Sequence, residues 1–525
     1  MMRRIGVLLA VLVVMGSIRD VEAKVAVSGM FGDNMVLQCD MKVPVWGTAD
    51  ADEKVVVEFS GQKKETVADK DGKWMLHLDP VKTTAKEGVL TVKSGTDNQQ
   101  SPISFSNVLV GEVWLGSGQS NMAGGTGGYA KNDPVLKQMA TGGPYPTLRL
   151  YGRNGWQVAD ENSIRGFSAI HFAFGRNLHK ELNVPVGLMV GAVGGTPSGR
   201  WLTEEMAAAD PALVKMLQDN TDCDSVADIG SNYEELKKQY DAEAEKAKAE
   251  GKKPGRAPRR AVIGDLYERH IAHKVPYGIR GVLWDQGESR TQIPGVDQIT
   301  TMHALIEGWR NAWNQPSSPE GSGAPEKDFH FMHVQKPSGE GCAWDYENPV
   351  NRLAIKFDKL PAQHVDKPSA LKYQLDHIKI ATLKNAPIVT ASDLAGGIHP
   401  QNKSGYGKRA CRVALGSVYG KDVAICGPVY KAHKVEGKTI RIEYNHVGKG
   451  LAFKHGETLQ GFEIAGADGK WDWAEAKIDG NTVVVTSENI AEPVNVQYAF
   501  NRRHNFANLF NKDGLPALMF TSVEH

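Results

Sequence analysis

Within Gly111-Glu112-Val113-Trp114-Leu115-Gly116-Ser117-Gly118-Gln119-Ser120-Asn121-Met122 stand two hydroxyls, two side-chain amides and three glycines. A serine hydroxyl becomes a nucleophile when a base lies beside it, and N–H groups in a glycine-rich turn can hold the oxyanion that its attack creates. A plain polar turn between strands has the same composition, so the stretch by itself leaves both readings open. The spacing is not the G-x-S-x-G elbow, because Met122 stands at the last glycine position, and Ser117 lacks the flanking spacing as well.

A nucleophilic serine needs a base, usually His, often steadied by an acid. Of the 16 His, His399 stands out. It lies in the polar, glycine-rich Asp393-Leu394-Ala395-Gly396-Gly397-Ile398-His399-Pro400, with a helical run from Gly405 to Leu415 behind it. The pairs His270/His273 and His330/His333 are spaced three apart and neither forms H-E-x-x-H, which leaves metal binding a minor reading and no metal ligand is assigned. No P-loop and no strand-linked G-x-G-x-x-G is present.

The elements that must position these residues follow from the texture of the chain. Residues 24–108 read as short strands split by turn signals such as Asp50-Ala51-Asp52 and Asp71-Gly72, a sandwich-like β domain serving as scaffold or as a carbohydrate-binding module. From 109 to 420 strands alternate with helices. The buried run Val184 to Val190 ends in Gly191-Ala192-Val193-Gly194-Gly195-Thr196-Pro197, Ile279 to Trp284 ends in Asp285-Gln286-Gly287-Glu288-Ser289, and Phe329 to Val334 ends at Gln335. Several apolar runs that end in glycines and amides predict an α/β domain whose mainly parallel sheet has one functional edge. Ser168 to Leu178 has helical spacing; residues 203–260 read as a helical insertion with a charged helix, Tyr233 to Lys253, and a basic run to Arg260. Residues 421–525 return to β.

At 525 residues the chain exceeds one core, so two or three domains are expected. Basic and acidic residues balance at 61 each, and the basic run has no interleaved aromatics, which argues against nucleic acid. Arg3 and Arg4, the apolar run Ile5 to Met15 and the small-residue site ending at Ala23 predict a signal peptide over 1–23 and an exported protein, periplasmic or extracellular. The alternative, a membrane anchor, needs a longer apolar run, and no later stretch is apolar enough to span a bilayer. Five Cys are too few for a disulfide framework, and their odd number leaves at least one unpaired within the chain.

Four motifs in register resemble the sialate O-acetylesterase family, a branch of the SGNH hydrolases: Gly118-Gln119-Ser120-Asn121-Met122, Gly194-Gly195-Thr196-Pro197, Trp284-Asp285-Gln286-Gly287-Glu288-Ser289 and Ile398-His399-Pro400-x-x-Lys403. The similarity extends to Asp33-Asn34-Met35-Val36-Leu37-Gln38, Val45-Trp46-Gly47 and Leu459-Gln460-Gly461-Phe462-Glu463-Ile464-Ala465-Gly466. The resemblance implies a three-layer α/β/α catalytic domain flanked by β-sandwich-like domains. It also implies hydrolysis of acetyl esters on sugars or glycans through a Ser-His acetyl-enzyme, without metal or organic cofactor. Ser120 is then the nucleophile and His399 the base, with the oxyanion held by the N–H of Ser120, an N–H of Gly194 or Gly195, and the side-chain amide of Gln286. Asn121, Trp284, Asp285, Glu288 and Arg290 become candidates for the sugar pocket or its framework. Two positions depart from the family pattern. The acid expected three residues before the His is Gly396, which leaves Asp393 or a main-chain carbonyl to orient the imidazole. Asp285 stands where Tyr is commoner, to touch substrate, act as a second acid or face solvent. Acetylated xylan or pectin as substrate, and a catalytically silent carbohydrate-binding protein, fit the same motifs.

Overall fold

The strand Ile103–Gly118 (β1) is half-buried and alternating over its first five residues and buried on both faces from Val108 onward. That change marks its passage from a sheet with one solvated face into the middle of a covered one. Its first part pairs antiparallel with Thr84–Ser94, and Val36–Gln38 runs parallel to it through Leu109–Gly111. The expected boundary at 108 therefore falls inside a continuous strand, because β1 serves two sheets at once. The computed structural model describes residues 25–95, 101–219, 233–255, 263–293, 295–315, 327–336, 339–348, 355–361, 368–394, 396–501 and 503–523. The signal-peptide segment, Cys223, the basic run from Arg256 and Ala395 lie outside them.

Beyond Gly111, β1 is flanked by Val186–Ala192 (β4) and Gly281–Asp285 (β5), both parallel to it. With Tyr145–Gly152 (β2), Gly155–Ala159 (β3), His330–Val334 (β6) and Ile388–Val389 (β7), the sheet order is β3-β2-β4-β1-β5-β6-β7. Only β3 pairs antiparallel along this path. Alternate residues face opposite sides. Trp114, Leu283 and Met332 join Phe172, Phe174 and Tyr406 in one core cluster, while Val113, Val282, Trp284 and Phe331 join Trp309 and Trp313 in another. The first face is covered by helices Ala169–Leu182 (α2) and Lys403–Ser417 (α5), the second by Gln298–Trp313 (α3), with Pro368–Lys379 (α4) beside α3. A Cβ at Gly407 would meet that of Ala173 at 2.5 Å, so glycine sets how closely α5 approaches α2.

The ionisable residue in the opening apolar run, Glu112, is 5% exposed. It is tolerated there because Arg280 grips its carboxylate through Nε at 2.7 Å and Nη2 at 3.0 Å, with Gln38 and Tyr419 also donating. Of the insertion, Glu204–Ala208 and Pro211–Asp219 bury Ala207 and Leu213 in the core, whereas the described side chains of Tyr233–Ala249 are mostly exposed. The C-terminal strands form two four-stranded sheets and a two-stranded one around Phe462, Tyr498 and Phe520. Cys39, Cys342, Cys411 and Cys426 are buried free thiols. Among the described residues no helix is long and apolar enough to cross a membrane.

Candidate active site

The C-terminal ends of β4, β1 and β5 are level, with Ala192 and Asp285 both opposite Gly118. Gly118 has φ +126°, and a Cβ there would lie 2.2 Å from the Asp285 carbonyl oxygen, so only glycine lets the strands converge. The next N–H, of Gln119, donates to that oxygen at 2.8 Å. The chain then enters a single helical turn, Ser120–Ala123 (α1), which raises Ser120 at the sheet edge. Gly194 packs against it, an ideal Cβ on Gly194 lying 3.5 Å from that of Ser120. Thr196 Oγ1 donates to the Val193 carbonyl at 2.8 Å, Val193 N–H donates to Gly118 O at 3.1 Å, and Gly195 takes φ +70° to close the turn. The N–H groups of Ser120, Gly194 and Gly195 have no acceptor among the described residues.

Ser120 Oγ and His399 Nε2 are 2.9 Å apart, although 279 positions separate them in the chain. The loop that carries the imidazole is tied at three places. At its start Asp393, fully buried, accepts from Arg409 Nη1 at 3.1 Å and Nη2 at 3.0 Å. At its end Asn402 donates to Leu394 O at 3.0 Å and caps α5 by accepting from Gly405 N–H at 2.8 Å. Between them Ile398 O accepts from Asn121 Nδ2 at 3.1 Å. Asp393 is thus corrected: its carboxylate is spent on Arg409 and makes no hydrogen bond to His399 among the described residues. His399 is exposed, and its Nδ1 has no hydrogen-bond partner among the described residues, so no main-chain carbonyl takes the place of Asp393 there.

Three other expectations are corrected. Gln286 Nε2 donates to Thr196 O at 3.3 Å and Arg290 O at 2.9 Å. Both amide hydrogens are consumed in tying the Gly194 turn to the loop after β5, and none is left for an oxyanion. Trp284, 1% exposed, packs edge-on against Trp201 and Trp309 in the core rather than against a sugar. Asn121, 1% exposed, has its amide committed: Nδ2 to Glu288 Oε1 (2.9 Å) and Ile398 O, with Oδ1 accepting from Lys403 Nζ at 2.6 Å.

Asp285 and Glu288 belong to a buried charge network rather than to solvent. Lys336 Nζ lies 2.5 Å from Asp285 Oδ1 and 2.6 Å from Glu288 Oε1. The second carboxylate oxygens, Asp285 Oδ2 and Glu288 Oε2, are buried without a hydrogen-bond partner among the described residues. Burial opposes the Lys336 charge, yet Asp285 and Glu288 together raise its pKa; burial likewise opposes the Glu288 carboxylate, and Lys336 outweighs it and lowers that pKa. Burial pushes Lys403 down to about 8, against the pull of Asp285 and Glu288. Arg290 is exposed, with its guanidinium 5.3 Å from the Tyr373 ring centroid. Ile398, next to the imidazole, is 64% exposed. Lys336, Lys403 and Arg409 had no assigned role; the signal for Lys336 was a lysine two positions past a buried strand, where a soluble loop would also carry one. No group of three or more metal-ligating side chains occurs among the described residues, and neither His pair belongs to one.

Residues 110–229 match the family model described as carbohydrate esterase, sialic acid-specific acetylesterase. The sialate O-acetylesterase of Rattus norvegicus is 24% identical over 343 residues, 58% of this chain and 58% of that protein, so the match spans less than two thirds of that relative. The sialate O-acetylesterase of Mus musculus is 25% identical over 441 residues, 76% of this chain and 74% of that protein. The fold is similar to that of a carbohydrate acetylesterase from Xanthomonas citri, with a TM-score of 0.71 at 23% identity over 95% of this chain and 100% of the other. The matched segment starts inside β1 and includes Ser120 and Gly194, so the likeness to sialic acid-specific acetylesterases covers the nucleophile turn and its neighbour.

Proposed function

We propose that this chain is a carbohydrate O-acetylesterase that works through a Ser120–His399 dyad. The observation that carries the reading is the 2.9 Å contact between Ser120 Oγ and His399 Nε2, beside three N–H groups without acceptors among the described residues. Ser120 Oγ attacks the acetyl carbonyl carbon while its proton passes to His399 Nε2, and the carbonyl electron pair moves onto oxygen. The N–H of Ser120 and those of the Gly194-Gly195 turn hold that oxyanion. The C–O bond to the sugar breaks as the imidazolium returns the proton to the leaving hydroxyl. A water, deprotonated by the imidazole, then releases acetate by the same steps. None of these steps calls for a metal or an organic cofactor.

The reading includes an SGNH-type three-layer arrangement at 109–420, supported by helices on both sheet faces, with β-sandwich-like units at 24–108 and 421–525 joined to it in part through β1. It includes export after removal of residues 1–23, supported by Arg3, Arg4 and the apolar run that follows. O-acetylated sialic acid is the proposed substrate, in line with the names of the relatives, and the exposed Arg290 and Ile398 are the proposed sugar contacts. Acetate release is measured on O-acetylated sialic acids and on acetylated xylan oligomers, with Ser120→Ala and His399→Ala as controls. Release from the sialic acids that both variants abolish supports the reading; preference for xylan overturns the substrate, and no release from either overturns the enzyme.

A further inference from the structure

With Gln286 committed, the site has backbone donors for an oxyanion but lacks the side-chain donor that Gln286 was expected to supply. Gln119, immediately before the nucleophile, is 2% exposed. Its Oε1 accepts from the N–H groups of Gly287 at 3.4 Å and Ser289 at 3.3 Å. Two donors on one oxygen fix which end of the amide is which, since the reverse orientation would set N–H against N–H. The amide nitrogen is then the free end. Nε2 donates to no acceptor among the described residues, and it is not among the side-chain atoms sealed away from solvent without a partner. The neighbouring amides of Asn121 and Gln286 are spent on protein acceptors.

We propose that Gln119 is the side-chain donor of the oxyanion hole, taking the part that Gln286 does not play. An amide with unspent hydrogens, adjacent in sequence to Ser120 and locked at its oxygen end, is pre-organised at no cost when charge develops on the acetyl oxygen. Its backbone supports the assignment: the Gln119 N–H is fixed to Asp285 O, so the residue is held at both main chain and side-chain oxygen. The inference rests on the esterase reading, and only the transition state is concerned: as Ser120 Oγ bonds to the acetyl carbon, the electron pair displaced onto oxygen meets the Nε2 hydrogens.

The test compares Gln119→Glu and Gln119→Met with the unaltered chain on p-nitrophenyl acetate and on an O-acetylated sugar. Glu keeps the acceptor that holds Gly287 and Ser289 but removes the donor; Met removes both. The proposal predicts that Glu already lowers kcat by roughly 10²–10³-fold, with KM little changed and the thermal midpoint close to that of the unaltered protein. Retained kcat in the Glu variant with loss only in the Met variant would mean that Gln119 merely holds the loop, and overturns the proposal. A change confined to KM also overturns it, because the contact would then be made equally in the ground state. Inactivity of the unaltered chain on every acetylated substrate is a distinct result, and it removes the esterase reading itself.

Discussion

The side-chain amide of Asn121 donates to the main-chain carbonyl of Ile398 at 3.1 Å, so the residue after the nucleophile holds the residue before the base. The same amide is steadied by Glu288, from the loop after β5, at 2.9 Å and by Lys403, the first residue of α5, at 2.6 Å. Ser120 and His399 are thus set against each other by a buried tether rather than by the exposed loop alone.

Asn121→Ala is expected to cut kcat by about 10²-fold, the scale of a misplacement of reacting groups by an ångström, while KM changes little. Stability should fall by roughly 1–3 kcal/mol, because a buried carboxylate and a buried ammonium each lose a partner. Steady-state kinetics and urea unfolding measure the two. A rise in KM with kcat unchanged would instead mark Asn121 as a sugar contact.

Asp393 answers to a different partner. The carboxylate is fully buried and accepts two hydrogen bonds from Arg409, which also donates to Thr390 O at 3.0 Å. Asp393→Asn should therefore lower kcat by less than roughly tenfold, where loss of a triad acid costs about 10⁴. Its larger effect should be on unfolding, since breaking a buried pair costs on the order of 3–5 kcal/mol. A 10⁴-fold loss in a variant of unaltered stability would restore Asp393 as the acid behind His399.

These two residues show where the sequence was legible and where it stopped. The strands that end at Gly118, Ala192 and Asp285 announced themselves as apolar runs closing in glycines and amides, because a covered parallel sheet needs the first and a ligand edge needs the second. The meeting of Ser120 with His399 was readable through motifs in register. The orientation of an amide was not. Gln286, Asn121 and Gln119 look alike as letters, and which one keeps a free N–H depends on carbonyls contributed by Thr196, Arg290 and Ile398, up to 277 positions away. That one unbroken strand runs across the boundary at 108 was not legible either: β1 changes sheets at Val108, just after Asn107 takes φ +53°, without ending there.

Trp284 sits at the sheet edge in sequence but points into the core, between Trp201, Trp309 and Phe331. Trp284→Phe should leave KM for an acetylated sugar unchanged and destabilise the fold by roughly 1–3 kcal/mol, the usual range for a core truncation. Substrate titrations and thermal unfolding check this. A several-fold rise in KM at unchanged stability would place the indole in the pocket.

Lys403 gives the network a dependence on pH. Burial depresses its pKa to about 8, well below the 10.5 of a free lysine. Between those values the unfolded chain holds the proton that the folded chain has released, so this residue's contribution to stability grows as pH rises through about 8. Below that pH its buried charge is a standing cost, offset in part by Asp285 and Glu288. Lys403→Met removes the dependence. The difference in unfolding free energy between the unaltered chain and the variant should therefore move by about 2 kcal/mol in favour of the unaltered chain from pH 7 to 9.5. Parallel urea titrations at the two pH values measure it. A constant difference would mean that Lys403 keeps its proton in the fold throughout this range, and a shift of opposite sign that its partners raise rather than lower its proton affinity.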